Sequence, residues 1–165
     1  MSMFQRMILI TDGTLTEMLE VYLAEKIHLV KLSEQTFTLT ETNAPLDLTA
    51  GTEVIERKIL LQGKISRNNW IYAQSLLVPS RLDPHFRERL LQSREPMGRL
   101  WLEHKLETFK EIIDTAREPA LDIATHFKIR PEDRLLSRTY RLFSNRQPII
   151  MITEKFPESY FLNAF

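Results

Sequence analysis

The early chain carries apolar residues at helical spacing. Leu15, Met18, Leu19, Tyr22 and Leu23 form one stripe. Thr14-Leu15-Thr16-Glu17 reads as a capping box with Thr14 as N-cap, so a helix is expected from there to near Glu25. Shorter alternating runs follow. His28 to Leu32 and Thr36 to Thr40 read as two strands joined by a turn at Ser33-Glu34-Gln35. Asn43 to Gly51 reads as a loop and a candidate mobile cover. A long strand is expected from Glu53 to about Ile65, with Ser66-Arg67-Asn68-Asn69 turning the chain back into Trp70 to Val78. Helices fit Pro84 to Gln92 and Pro96 to about Leu106, each with proline in its first turn. Residues 107 to 117 fit either a helix or a strand. Ala120 to Phe127 reads as a short helix and Pro131-Glu132-Asp133 as a turn. A last hairpin runs from Arg134 to Phe143, through Ser144-Asn145-Arg146-Gln147, to Pro148 to Phe156. The two long hairpins echo each other, each ending in a proline, and suggest two related halves of one antiparallel sheet.

Two charges interrupt this alternation. In Ile55-Glu56-Arg57-Lys58-Ile59-Leu60-Leu61, strand parity puts Arg57 on the face of Ile55, Ile59 and Leu61. In the last strand it puts Glu154 on the face of Ile150, Ile152 and Phe156. A charge turned into an apolar layer is costly unless it is paired or binds something polar. One cation and one carboxyl aimed into the same interior suggest a closed pocket for a small, flat, anionic molecule. The competing reading is an internal salt bridge between the two.

Composition narrows the classes. A chain of 165 residues with 43% hydrophobic and 27% charged residues is expected to be one domain, 1–165, with a real core. Lys+Arg and Asp+Glu are both 22, which leaves no basic excess for nucleic acid. Arg130, Arg134, Arg138, Arg141 and Arg146 cluster, and their spacing reads as a solvated edge. The absence of cysteine removes disulfides, thiolate nucleophiles and cysteine zinc sites. No run is long and apolar enough for a leader or a membrane span, so a cytoplasmic protein is the expectation, with a monomer as the default.

Glu95-Pro96-Met97-Gly98-Arg99 marks a helix start whose free amides could hold an anion, with Arg57 supplying a guanidinium fork. The four histidines lack metal spacing, the four glycines form no phosphate loop, and no serine sits in a nucleophile elbow. Asp12-Gly13 reads as a turn signal only.

Several segments, in order, resemble the chorismate pyruvate-lyase family and its single-domain relatives. They are Thr14-Leu15-Thr16, Arg57-Lys58-Ile59-Leu60-Leu61, Ala73 to Pro79, Pro96-Met97-Gly98-Arg99, and Pro148 to Pro157 around Thr153-Glu154. The likeness spans about Leu15 to Pro157. It implies an α+β fold, an antiparallel sheet with helices packed on one side and an enclosed ligand pocket. It also implies the conversion of chorismate to 4-hydroxybenzoate and pyruvate, with no metal or redox cofactor. By position, Arg57 and the Met97 backbone amide would hold the ring carboxylate. Glu154 and a backbone group at Leu15 would meet the ring hydroxyl, and Arg57 and Glu154 would carry the catalysis. The segment Ala120 to Asp133 is more similar to the effector-sensing domains of transcription regulators, which share this fold. The expected partner is thus an aromatic or cyclohexadiene carboxylate, with no nucleic acid and no membrane. A non-catalytic sensor with the same pocket is the alternative.

Overall fold

The computed structural model describes residues 1–93, 100 and 107–163. Its centre is one antiparallel sheet of six strands: β1 (Ile27–Thr38), β2 (Glu53–Gly63), β3 (Asn69–Leu77), β4 (Phe109–Pro119), β5 (Arg134–Ser144) and β6 (Gln147–Pro157). The order across the sheet is β1-β2-β3-β6-β5-β4. Two three-stranded meanders are therefore joined edge to edge, with β3 antiparallel to β6. The echo between the hairpins is real at this level, since each forms the inner two strands of one meander. The β5–β6 connection is a two-residue turn in which Asn145 and Arg146 both have positive φ (51° and 61°), the geometry that matches the strand twist.

Helices α1 (Met3–Ile10), α2 (Leu15–Leu23) and α3 (Pro84–Gln92) pack on one face. Phe4, Ile8, Leu15 and Leu19 meet Leu61, Ile71, Leu136 and Phe156, while Phe86 and Leu90 meet Ile55, Leu77, Ile150 and Ile152. The opposite face carries the one-turn helix Ala124–Phe127, packed on Leu60, Tyr72 and Leu135.

Two sequence expectations change, one left open is resolved, and one lies outside the described residues. Residues 27–38 form one strand, not a hairpin; a register shift between Lys31 and Ser33 bends it, and the polar stretch read as a turn is the exposed outer half of an edge strand. Residues 107–117 resolve as strand β4, because β5 would otherwise have an open edge. Thr14 caps α2 by position, but its side chain makes no capping bond. The capping box belongs instead to α1, where the Ser2 hydroxyl accepts from the Gln5 amide and the Gln5 side chain accepts from the Ser2 amide. The helix expected from Pro96 to Leu106 lies outside the described residues, apart from Leu100, which is buried in the core.

Fully buried Gln5 also donates to the carbonyls of Glu158 and Tyr160, stitching α1 to the chain after β6. Gln5→Leu strands those carbonyls and should lower unfolding free energy by about 2–3 kcal/mol in denaturant titration. Unchanged stability would mean that water replaces the amide freely.

The loop read as a cover does not lie over the candidate site. Leu46 and Leu48 are buried against Val54 and Val78, with Leu76 and Met151 beside them, on the face opposite Arg57. Arg81 donates to the carbonyls of Leu46 and Asp47, and Arg141 to that of Pro45, which ties the loop down.

Candidate functional site

Strand pairing places the two flagged charges on one face. Arg57 pairs with Ser75, Ser75 with Ile152 and Ile152 with Tyr140. In the adjacent row, Ala73 pairs with Glu154 and Glu154 with Arg138. Only β3 separates β2 from β6, so the two backbones stand about 10 Å apart across the sheet. The β3 side chains between them, Ala73 and Ser75, are short, while Ile71 and Leu77 flank them. The sheet surface is low where a guest between the charges would rest.

Arg57 is 2% exposed. Its Nε lies 3.4 Å from Glu34 Oε1, near enough for an ion pair but not aligned as a hydrogen bond. Glu34 is shared, because Lys31 Nζ sits 3.1 Å from the same oxygen. Nε and Nη2 of Arg57 have no hydrogen-bond partner among the described residues. Burial pushes the Arg57 pKa down, and Glu34 only partly opposes this. The site holds a desolvated cation with donors to spare.

Glu154 is 8% exposed and does not bridge to Arg57. Arg138 Nε donates to its Oε2 at 2.8 Å, and the Tyr140 hydroxyl donates to Oε1 at 2.7 Å. Burial, then the neighbouring Glu154 charge, raise the Tyr140 pKa well above the ordinary phenol value, so the hydroxyl keeps its proton. Each carboxylate oxygen retains room to accept one more bond.

Arg138 belongs to this centre and not to a solvated edge. It is 1% exposed, while Arg130, Arg134 and Arg146 are exposed as expected. The parity that singled out Arg57 applies equally here, since Leu136, Arg138, Tyr140 and Leu142 share a face. Arg138 Nη1 donates to the Thr11 carbonyl at 2.8 Å. Lys110 comes from β4, donates to the Gly13 carbonyl at 3.2 Å and lies 4.5 Å from the Tyr140 ring centre. The Asp12-Gly13 turn thus does more than reverse the chain: it rests on two cations at the Glu154 end. Leu15 opens α2 just beyond it and is itself buried. Met97 lies outside the described residues.

The sequence of residues 9–163 matches the model of the family described as "Chorismate pyruvate-lyase Rv2949c-like". The chain belongs to this chorismate pyruvate-lyase family. A chorismate pyruvate-lyase of Mycobacterium tuberculosis (strain ATCC 25618 / H37Rv) is 30% identical over 168 residues, covering 96% of this chain and 82% of that protein. One of Mycobacterium leprae (strain TN) is 27% identical over 157 residues, covering 94% and 75%. Among solved structures, the effector domain of PhnF from Mycobacterium smegmatis superposes with a TM-score of 0.68 at 14% identity, over 92% of each chain. The C-terminal domain of the histidine utilization repressor from Pseudomonas syringae pv. tomato does so with a TM-score of 0.60 at 15% identity, over 85% of this chain and 96% of that one. These likenesses confirm the α+β fold, an antiparallel sheet with helices, and nothing finer. Among the described residues of this chorismate pyruvate-lyase family member, no helix is long and apolar enough to cross a membrane.

Proposed function

We propose that this protein is a lyase that converts chorismate to 4-hydroxybenzoate and pyruvate, with Arg57 and Glu154 at opposite ends of the ring. The observation that carries the reading is the buried, under-bonded Arg57 guanidinium facing the same layer as Glu154 in a chain of this family. A carboxylate on the ring would satisfy Nε and Nη2 of Arg57 together, the bidentate geometry that a guanidinium favours. The Met97 backbone amide is the proposed second donor to that carboxylate. At the far end the ring hydroxyl would donate to Glu154, with the backbone at Leu15 as its other partner.

The reaction needs little beyond such positioning. The ether bond between the ring and the enolpyruvyl oxygen breaks, and its electron pair leaves with that oxygen. The ring carbon bearing the hydroxyl loses its proton, and the electrons of that bond complete the aromatic ring. The released enolpyruvate takes up a proton and becomes pyruvate. Glu154 is placed to take the ring proton or to polarise the hydroxyl, while Arg138 and Tyr140 hold its carboxylate in one orientation. Holding the ring from both ends in a dry layer lowers the barrier by orientation.

The test is direct. Incubation with chorismate should release pyruvate and 4-hydroxybenzoate in equal amounts. Saturable binding of 4-hydroxybenzoate without turnover would instead support a non-catalytic aromatic-acid binder, the reading favoured by the effector-domain likeness. Neither turnover nor binding would leave Arg57 and Glu154 as structural charges.

A further inference from the structure

The Glu154 end of the layer carries more positive charge than Glu154 balances. Arg138 is almost fully buried, and after bonding Glu154 and the Thr11 carbonyl it still has Nη2 buried without a partner among the described residues. Lys110 has no ion-pair partner among the described residues; its ammonium contacts the Gly13 carbonyl and the Tyr140 ring. The Arg138 guanidinium also lies on that ring, 5.0 Å from its centre. Two cations thus lie near one buried carboxylate, which only Arg138 bonds, with Asp12, on the exposed turn, the other acidic group near Lys110. Burial and the nearby Arg138 charge both lower the Lys110 pKa, more than Glu154 and Asp12 raise it back. Such surplus is unfavourable in the empty protein and is relieved by a bound anion.

We propose that Arg138 and Lys110 form a second anion subsite, separate from Arg57, which takes the enolpyruvyl carboxylate of the substrate. The inference rests on the proposed lyase reading and deepens it. Chorismate carries two carboxylates and 4-hydroxybenzoate carries one. A site with cations at both ends grips the substrate at two points and the aromatic product at one. When the ether bond breaks, the second carboxylate departs with the enolpyruvate, and the product keeps only its hold on Arg57. Arg138 has a double part: one nitrogen orients Glu154, and another faces the second anion. Lys110 contributes charge without touching Glu154, which makes it the cleaner residue to change.

The experiment compares two ligands by calorimetry. One is 4-hydroxybenzoate; the other is 3-(carboxymethoxy)-4-hydroxybenzoate, already aromatic, which adds a carboxylate on an ether arm and cannot eliminate. Lys110→Met keeps the apolar stem and removes the charge. It should weaken the dicarboxylate about five- to tenfold, the scale of one partly desolvated charge contact, and change 4-hydroxybenzoate less than about twofold. Lys110→Arg should restore most of the loss. Arg57→Ala should weaken both ligands alike. Equal losses for the two ligands in Lys110→Met, or none, would overturn the second subsite while leaving the ring site intact. If Arg57→Ala changes neither ligand, or wild type binds neither, the lyase reading itself fails and the subsite with it. Melting curves for each variant separate these outcomes from misfolding.

Discussion

Replacing Arg57 by methionine should make the protein more stable and a much weaker binder of 4-hydroxybenzoate. The guanidinium is buried with two nitrogens unbonded among the described residues, and burial already depresses its pKa. Methionine fills a similar volume and has nothing to desolvate. Glu34 is not orphaned by the change, because it keeps Lys31 at 3.1 Å and remains partly exposed. The expected gain is about 1 kcal/mol or more, read as a rise in Tm of about 2–4 °C at this chain length. Binding of 4-hydroxybenzoate should fall about ten- to hundredfold, equivalent to about 1.5–3 kcal/mol for a charged hydrogen bond. Arg57→Lys should recover only part of it, since a point charge cannot form the fork. A variant that loses stability together with binding would show that Arg57 is structural, and wild-type affinity would remove it as the anchor.

Glu154→Gln should separate turnover from binding in the other direction. The substitution keeps the shape and removes the charge and the basic oxygen. Pyruvate release should fall about 10²–10⁴-fold, the usual contribution of a positioned acid or base. Product affinity should change little, because an amide oxygen still accepts from the ring hydroxyl. The same change leaves Arg138 as an uncompensated buried cation, so stability should drop by about 3 kcal/mol. Adding Arg138→Met should restore much of that stability without restoring turnover. If the double variant regained activity, Glu154 would be a structural partner of Arg138 and not a participant in the chemistry. Full turnover in Glu154→Gln alone would remove it from the chemistry as well.

The two predictions differ because the two charges are differently supported. Arg57 has a loose, shared counter-ion and, among the described residues, two buried nitrogens without a hydrogen-bond partner. Glu154 has two short bonds from Arg138 and Tyr140, the condition of a group held in place. Strand parity identified both as buried and could not distinguish these states.

The hydrophobic pattern carried most of the strand content. Alternation located β2, β3, β5 and β6 within a few residues, and Pro84 marked the start of α3. The same alternation aimed Arg57 and Glu154 inward, since the direction of a side chain on a strand is a local property of the backbone. Residues whose surroundings come from distant segments were not legible. Ser33 to Gln35 looks like a turn and is an exposed edge, because the partner strand, not the local sequence, decides whether such residues extend. Arg138 looked like one of five surface arginines until Glu154, sixteen residues away, and the Thr11 carbonyl supplied its partners. Asn43 to Gly51 was open to either face, and only the anchoring by Arg81 and Arg141 put it opposite the site. The local pattern thus aimed Arg57 and Glu154 inward and left Arg138 unseen. What each of them faces was decided by the order of the strands, which sets neighbours across the sheet that no single stretch of chain contains.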